Sequence, residues 1–422
     1  MRFYAALNRH PAQRKNFERK ARKLAGPLQG IRVIDVTTNI SGPSLTMILG
    51  DLGAEIIKVE RPNGGDDSRK MGPLWEDEGV YYLMINRNKR SIAINLQEEK
   101  GKRIVHDLVK DADVFVENFR YGKAEKLGFG YDQLHALNSK LVYCSLSAYG
   151  EKGEKKYKPG YDAIVQADSG MMGIIGSEDG EPVRAPVSIL DQGSAMWGAI
   201  GVISALYERQ KTGKGQKVTT SLYETGFFWM GYHLLTYLAT GTETEKMGSN
   251  HAAFAPYGAF QTADHPIMIG VSNDSLFEKV CRVIEKDDWI KDERFRTNLD
   301  RVKNRKRLND LIEKQLQTNR AEYWLERFER EGIPCSRIQK VSSVANDRQI
   351  ESLNLFVDVP HEKISQLKLP RLPIQLSRSS AAVKKAPPQL GEDTVPILKE
   401  RGWSDQEIQQ LIVQGVIQST VE

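Results

Sequence analysis

The sequence is poor in cysteine and has no long uninterrupted apolar run. Its three cysteines, Cys144, Cys281 and Cys335, are widely spaced and form no CxxC pair. This pattern excludes a disulfide scaffold and a structural zinc finger, and it suits a reducing compartment. The longest mostly apolar stretches, residues 197–207 and 227–239, are shorter than the roughly 18 residues that a membrane span needs. We therefore expect a soluble protein without a membrane partner.

The body of the chain also lacks a basic excess. The net charge is +5, but the first 23 residues hold eight Lys or Arg against a single acid, Glu18. The rest of the chain has 52 basic and 54 acidic residues, so we expect no nucleic-acid partner. The basic arm is either a solvated extension of a cytoplasmic protein or an Arg-rich presequence for the mitochondrial matrix.

Several signature motifs are missing. No GxGxxG follows the first apolar run and no GxxxxGK[ST] occurs, so the dinucleotide fingerprint and the P-loop are both absent. The seven histidines form no HxxxH or HExxH pair, and there is no GxSxG. These absences argue against a metal site and against an α/β-hydrolase nucleophile elbow. We expect no metal and no tightly bound cofactor.

Short β-branched runs alternate with amphipathic segments over the first 150 residues. Strands are predicted at 31–37, 54–60, 91–96, 113–119 and 141–150. The alternation predicts an α/β fold whose parallel sheet is covered by helices on both faces. A ligand is then expected in the crevice at the carboxyl ends of the strands. The first helix is predicted to start at Ser41-Gly42-Pro43, with the Ser41 hydroxyl as its cap.

The character of the sequence changes at three further places. Residues 151–160 are polar and Lys-rich, and we interpret them as a loop or linker. From about residue 226 the chain becomes more helical, and near residue 331 a strand-like run begins. We predict a basic extension at 1–26, a large α/β part at 27–225, a small domain at 226–330 and a further part at 331–422.

Residues 30–69 resemble the amino-terminal signature of the class III CoA-transferases. They read GIRVIDVTTNISGPSLTMILGDLGAEIIKVERPNGGDDSR, and NRNKRSIAINL, ADVFVENFRYGKAEKLGFGY, GYDAIVQADSG, DQGSAMWGAIGVISALYERQKTGKGQKV and PPQLGEDT match later family segments in order. The family includes formyl-CoA, carnitine and succinyl-CoA-dependent dicarboxylate transferases, and α-methylacyl-CoA racemases are related to it. The resemblance covers approximately residues 27–412.

The resemblance implies an interlocked homodimer that uses CoA and acyl-CoA as substrates. Each chain is expected to have a large Rossmann-like domain and a smaller middle α+β domain. The large domain would combine residues 27–225 with residues 331–422, so that the last part of the chain returns to it.

The position of Asp191 matches the catalytic aspartate of the family. Transfer of CoA between carboxylates without ATP needs a carboxylate nucleophile, because each intermediate must keep the acyl group activated. Asp191 would form an anhydride and then an aspartyl-CoA thioester. It precedes Gln192-Gly193-Ser194-Ala195 at a predicted helix start, where the helix dipole would keep it ionised. The alternative role is a simple N-cap, and the two roles are compatible.

Contacts to CoA are implied by position along the chain. Arg61 follows a predicted strand and is suited to bind phosphate or cover adenine, while the turn Thr38-Asn39-Ile40 would offer backbone groups to the pantetheine. Further positions that match the family's binding residues are Lys89, Arg90, Asn118, Lys126 and Tyr161. For each basic residue the alternative is an ordinary solvated side chain, and for Tyr161 it is a core or sheet-edge aromatic.

Tyr161 favours a transferase over a racemase. The racemase pattern has histidine at this position, and tyrosine, with an ordinary pKa of about 10, is a poor base near neutral pH. Our preferred function is transfer of CoA from succinyl-CoA to a dicarboxylic acid. Arg184 is a candidate for the distal carboxylate, or else forms a surface salt bridge. Formyl-CoA or acetyl-CoA:oxalate transfer, racemisation and non-catalytic CoA binding are the alternatives.

Overall fold

A computed structural model of the chain describes residues 26–420, which divide into two compact units. The larger unit contains residues 26–169, 186–231 and 351–420, and the smaller unit contains residues 170–185 and 232–350. The predicted basic extension, apart from Gly26, lies outside the described residues.

The first part of the chain alternates strands and helices as the sequence predicts. In order, the elements are β1 Arg32–Asp35, α1 Ser41–Asp51, β2 Glu55–Glu60, a 3₁₀ helix at Asp67–Lys70, β3 Leu74–Trp75, β4 Glu78–Gly79, α2 Val80–Ile85, β5 Lys89–Ile94, α3 Glu99–Val109, β6 Val114–Glu117, α4 Lys123–Leu127, α5 Tyr131–Leu137 and β7 Val142–Ser147.

The middle and last parts of the chain are richer in helix. They comprise α6 Asp162–Asp168, α7 Met171–Ile174, α8 Ile189–Thr212, β8 Lys217–Ser221, α9 Leu222–Trp229, α10 Gly231–Thr240, β9 Tyr257–Phe260, β10 Ile267–Gly270, α11 Asp274–Val283, a 3₁₀ helix at Asp287–Ile290, α12 Asn298–Lys303, α13 Arg305–Leu316, α14 Ala321–Arg330, β11 Cys335–Arg337, α15 Val341–Ala345, α16 Arg348–Ser352, β12 Phe356–Asp358, β13 Lys368–Pro370, α17 Thr394–Glu400, α18 Asp405–Val413 and β14 Ile417–Gln418.

The larger unit is built on a seven-stranded sheet with the order β14-β5-β2-β1-β6-β7-β8. All neighbouring strands are parallel except β14, which runs antiparallel to β5. The α/β prediction is therefore confirmed, and each of the five predicted strands is present. The strand predicted at 91–96 begins two residues earlier, at Lys89.

Successive residues of the central strands enter two separate cores, because side chains alternate between the faces of a sheet. On one face Val33 packs with residues of α1 and α8, and on the other Ile34 packs with residues of α3, α17 and α18. Gly198 allows α8 to lie close to α1, since a Cβ at this position would overlap Leu45. Helices α1 and α8 are thereby held together beside the carboxyl edge of β1.

The smaller unit is larger than the sequence predicts. Strand β11 pairs antiparallel with β10, which in turn pairs with β9. Because this pairing keeps β11 in the smaller unit, that unit continues to Ile350 instead of ending at residue 330. Residues 170–185 also belong to it, although the sequence assigns them to the large domain. A core formed by the sheet with α11, α13 and α14 stabilises the unit.

Helix α8 is the one helix among residues 26–420 that is long and apolar enough to cross a membrane by length and composition alone. Half of its most apolar window is buried inside the protein, and the helix packs against α1, β7 and β8. A core helix of a soluble protein meets the same criteria, so this finding is weak evidence for a membrane span.

Candidate active site

A cleft of about 330 Å³ opens in the larger unit at the carboxyl ends of β1, β6 and β7. This is the edge at which the parallel sheet is expected to bind a ligand. The cleft brings together six of the residues selected from the sequence: Thr38, Asn39, Ile40, Asn118, Tyr161 and Asp191. Tyr161 is 75% exposed, so it is a wall of the cleft and not a core aromatic.

Asp191 lies in the first turn of α8, which begins at Ile189. It is not the N-cap; that residue is Ser188, whose side chain makes no capping hydrogen bond. The cap comes instead from Asp162, the first residue of α6. Its Oδ2 accepts the backbone N–H of Leu190 at 2.7 Å and of Asp191 at 3.0 Å. Sequence reasoning missed Asp162, although it stands in the quoted GYD motif.

The Asp191 carboxyl ionises less readily than the sequence predicts. Burial and the nearby negative charge of Asp162 raise its pKa to about 7, against an opposing hydrogen bond from the Ser41 hydroxyl. The expected effect of the helix dipole is therefore outweighed. Ser41 does not cap α1 either: it is the first helical residue, and the N-cap Ile40 has no side-chain hydrogen bond. The Ser41 hydroxyl instead donates a hydrogen bond to the Asp191 carboxyl.

A glycine beside the nucleophile candidate permits close packing. A Cβ at Gly193 would overlap the ring of Trp229 and contact the methyl group of Thr225. Both residues belong to α9, so only glycine lets this helix approach the first turn of α8 so closely.

The turn that follows β1 is fastened to the end of β6. The Thr38 N–H donates to Asn118 Oδ1 at 3.1 Å, and Asn118 Nδ2 donates to the Thr38 carbonyl at 2.8 Å. Asn39 has a left-handed backbone with φ of 66°, a conformation that asparagine tolerates better than most residues. The Asn118 side chain is thus engaged in shaping the cleft.

The structure corrects the prediction that Lys89 binds the nucleotide. Lys89 starts β5 and its side chain is fully buried. The ammonium donates to Asp35 Oδ2 at 3.1 Å, the Pro43 carbonyl at 3.0 Å and Asn86 Oδ1 at 2.9 Å. An ammonium has three protons to donate, so none remains for a phosphate.

Three other predicted basic residues lie outside the cleft lining. Arg90 is held by carboxylates of Glu55, Asp393 and Glu400, which corrects its assignment to the nucleotide. Arg61 lies at the carboxyl end of β2 as predicted, is exposed, and pairs with Asp67. Lys126 is exposed on α4. Arg61 and Lys126 therefore remain available to a ligand that extends beyond the cleft.

The mouth of the cleft has basic and aromatic residues that sequence reasoning missed. The rings of Tyr121 and Tyr157 meet edge to face at 5.1 Å, and the Lys156 ammonium lies 4.8 Å from one ring centre and 4.9 Å from the other. Lys123 and Lys158 also line the cleft. The signal in the sequence is the group of lysines around Tyr157 in residues 151–160, although the polar composition of this segment is equally typical of a loop or linker.

One lysine fixes this loop to the body of the unit. Lys155 Nζ lies 3.0 Å from Asp168 Oδ1 and 4.9 Å from the centre of the Tyr223 ring. Its neighbour Lys156 is consequently directed to the cleft side.

Arg184 belongs to the smaller unit, where its guanidinium donates to the Ala185 carbonyl at 3.2 Å. Over the described part of the chain, no group of three or more His, Cys, Asp or Glu is arranged to hold a metal ion.

Comparisons with known proteins identify relatives of this chain. The sequence profile described as CoA-transferase family III matches residues 28–394. The mouse succinyl-CoA:glutarate CoA-transferase is 37% identical over 93% of this chain and 90% of its own length. The acetyl-CoA:oxalate CoA-transferase of Acetobacter aceti is 36% identical over 90% of this chain and 96% of its own length.

A solved structure has the same architecture. The crystal structure of a CAIB/BAIF family protein from Brucella suis superposes with a TM-score of 0.81 and 33% identity. The match covers 89% of this chain and all of that protein. The chain therefore belongs to CoA-transferase family III. It is an enzyme that transfers CoA, and CoA thioesters are its substrates.

Proposed function

We propose that this enzyme transfers CoA from succinyl-CoA to a dicarboxylic acid, with Asp191 as the nucleophile. The observation that carries the proposal is the position of the Asp191 carboxyl, which lines the cleft from the first turn of α8. The names of two relatives, the glutarate enzyme of mouse and the oxalate enzyme of Acetobacter aceti, support a dicarboxylate as the acceptor.

The first half of the reaction moves CoA onto the enzyme. An oxygen of the Asp191 carboxylate attacks the thioester carbon of succinyl-CoA, and the CoA thiolate leaves. The product is a mixed anhydride between Asp191 and succinate. The thiolate then attacks the aspartyl carbonyl of the anhydride, which releases succinate and leaves an aspartyl-CoA thioester.

The second half reverses these steps with the acceptor. Its carboxylate attacks the aspartyl thioester, the CoA thiolate leaves, and a new anhydride forms. The thiolate attacks the acceptor's acyl carbon, which gives the new acyl-CoA and frees Asp191 as a carboxylate. Every intermediate is an activated acyl group, so no ATP is consumed.

The residues around Asp191 suit this cycle. A pKa of about 7 leaves a substantial fraction of the carboxyl ionised at neutral pH, and it makes the carboxylate more basic than an ordinary aspartate. The Ser41 hydroxyl orients it by hydrogen bonding, and the Asp162 cap holds the turn that carries it. A carboxylate fixed in this way attacks without first losing conformational freedom.

The nucleotide end of CoA is proposed to bind at the mouth of the cleft. Lys123, Lys156 and Lys158 provide positive charge for its phosphates. Tyr121 and Tyr157 provide apolar ring surface for the adenine. This arrangement would direct the pantetheine arm inward past the Thr38–Ile40 turn to Asp191.

The competing function is racemisation, which needs two acid-base groups on either side of the α-carbon. The cleft offers Asp191, but the position of the racemase histidine is filled by Tyr161. Tyrosine is a weak base near neutral pH. Transfer is therefore the better-supported reaction.

One experiment separates the two reactions. The enzyme is incubated in heavy water with succinyl-CoA and a panel of dicarboxylic acids, and new CoA thioesters are identified by mass spectrometry. Hydroxylamine is added to convert an activated Asp191 to its hydroxamate. We expect new thioesters, a modified Asp191 and no deuterium at the α-carbon. Deuterium at the α-carbon with an unmodified Asp191 would instead establish the racemase, and Asp191→Asn serves as the control.

A homodimer is also proposed, on the basis of the outer side of α8. Met196, Ile200, Ile203 and Tyr207 are all exposed and follow one another at helical spacing, which forms one apolar stripe. A stripe of this kind on a soluble enzyme is typically an interaction surface, and a second copy of the chain would cover it. Sedimentation should give twice the chain mass; a monomer at micromolar concentration would contradict the proposal.

A further inference from the structure

The turn Thr38–Ile40 forms one wall of the cleft, and besides Asn118 it is held by two residues outside the cleft lining, Lys58 and Asp66. The Thr37 carbonyl accepts a hydrogen bond from Lys58 Nζ at 3.0 Å. The N–H of Asn39, the residue with the left-handed backbone, donates to Asp66 Oδ1 at 3.1 Å. Both backbone contacts are made by charged side chains.

Lys58 and Asp66 form an ion pair that has no contact with solvent. Lys58 Nζ lies 2.8 Å from Asp66 Oδ2, and both side chains are fully buried. Burial alone would raise the pKa of Asp66, but the Lys58 ammonium and the Ser68 hydrogen bonds hold it below its ordinary value. The pair therefore stays ionised, and each partner neutralises the charge of the other.

Asp66 also connects this turn to a second part of the cleft wall. Its Oδ1 accepts the Ser68 N–H at 2.9 Å and the Ser68 hydroxyl at 2.8 Å, which caps the 3₁₀ helix Asp67–Lys70. Met71, the residue after that helix, lines the cleft. One carboxylate thus fixes two segments that face the same cavity.

A buried ion pair of this kind contributes little net free energy to folding stability. Removing two charges from water costs about as much as their attraction returns, and apolar replacements are often equally stable. We propose that Lys58 and Asp66 are positioning residues, which hold the Thr38–Ile40 turn in the shape that the acyl-CoA substrate requires. The inference rests on the proposed function, because it assumes that the thioester occupies this cleft.

The chain offers a matched control. Arg87 and Asp51 form a second buried ion pair at 2.7 Å in the same unit, and neither residue lines the cleft. Asp51 ends α1, the helix that Ser41 begins. Asp51→Asn and Asp66→Asn each leave a buried cation without its partner, so both should lower the melting temperature.

Only one of the two variants should change the kinetics. Measured where both variants are fully folded, Asp66→Asn should raise the KM for succinyl-CoA about tenfold, since a small misplacement of binding groups weakens substrate complexes markedly. Asp51→Asn should keep the KM of the wild type. Equal KM values in the two variants would overturn the proposal.

The double variant Lys58→Met/Asp66→Asn provides a second test, including the case in which Asp66→Asn does not fold. It has no unpaired buried charge, so its melting temperature should return towards that of the wild type. Its KM should stay raised, because the Thr37 carbonyl has lost its donor. A KM restored together with stability would contradict the inference. If the proposed function itself were wrong, the wild type would form no new CoA thioester from succinyl-CoA and a dicarboxylic acid, whereas failure of this inference alone would leave that wild-type reaction intact.

Discussion

The Asp162 carboxylate and the Asp191 backbone are joined by a hydrogen bond of 3.0 Å, from the Asp191 N–H to Asp162 Oδ2. The same oxygen accepts the N–H of Leu190 at 2.7 Å. The negative charge that caps α8 therefore stands beside the side chain in the first turn of that helix, and it contributes to the raised pKa of Asp191. One carboxylate both fixes the backbone of the proposed nucleophile and influences the pH at which its side chain ionises.

Asp162→Asn should move the pH dependence of the reaction. The amide oxygen can still accept the two N–H groups, but the negative charge is gone, so the pKa of Asp191 should fall from about 7. Activity that requires ionised Asp191 rises with pH through this pKa, and the rise in kcat/KM should shift to lower pH. Asp168→Asn, in the same helix but paired with Lys155, is the control. An acidic limb at the same pH in all three proteins would show that the Asp162 charge is unimportant.

Asp191→Asn should abolish transfer and alter the pH dependence of stability. The pKa of Asp191 is about 7 in the folded chain and 3.8 at its ordinary value, so the folded state disfavours the charged form. The wild type therefore loses stability as pH rises from about 4 to above 7, and the variant lacks this loss. Calorimetry should give a higher melting temperature for the variant at pH 8 and equal values at pH 4. A difference that is the same at both pH values would contradict the pKa argument.

Gly193→Ala should damage both stability and turnover. The added methyl group would overlap the Trp229 ring, and such overpacking costs about 2 kcal/mol. Because Gly193 lies two residues from Asp191, the relief of the clash should displace this proposed nucleophile and lower kcat. Gly231→Ala, where the added methyl group meets open space, should leave both quantities unchanged. Urea unfolding and steady-state kinetics measure the two effects.

Lys156→Ala should weaken binding of the nucleotide end of the donor. Loss of one partly exposed charge should raise the KM for succinyl-CoA about fivefold, which corresponds to about 1 kcal/mol. A succinyl-pantetheine donor has no nucleotide, so its KM should not change. Lys152→Ala, an exposed lysine of the same loop outside the cleft lining, should affect neither donor. An equal rise in KM for both donors would show that Lys156 does not act on the nucleotide end of the donor.

The sheet could be predicted from sequence because its signals are local. The β-branched runs that form β1, β2 and β6 are buried on both faces, and a continuous apolar run is typical of such strands. Asp191 was found through a motif, and the cleft lies at the strand ends where parallel sheets bind ligands. These features depend on residues that are close in sequence.

The roles of the basic residues could not be predicted because they depend on distant partners. Lys89 is engaged by Asp35, 54 residues away, and Arg90 by Glu400, 310 residues away. A long basic side chain reaches solvent or an interior carboxylate equally well, and no local pattern distinguishes the two cases. Asp162 was missed for the same reason, since the helix that it caps begins at Ile189.

The large sheet can be completed only late during synthesis of the chain on the ribosome. The Ala93 N–H of β5 finds its acceptor, the Thr394 hydroxyl, only 301 residues later, and α17 and α18 cover the face of the sheet that contains Ile34. In a nascent chain α3 can cover only part of that face, and the rest stays exposed until after the whole smaller unit, which ends at Ile350, is already made. The residues of the smaller unit are complete at that stage, whereas the unit that contains Asp191 must wait for residues 351–420. An unfinished chain of this enzyme is consequently a natural client for chaperones that bind exposed apolar surface.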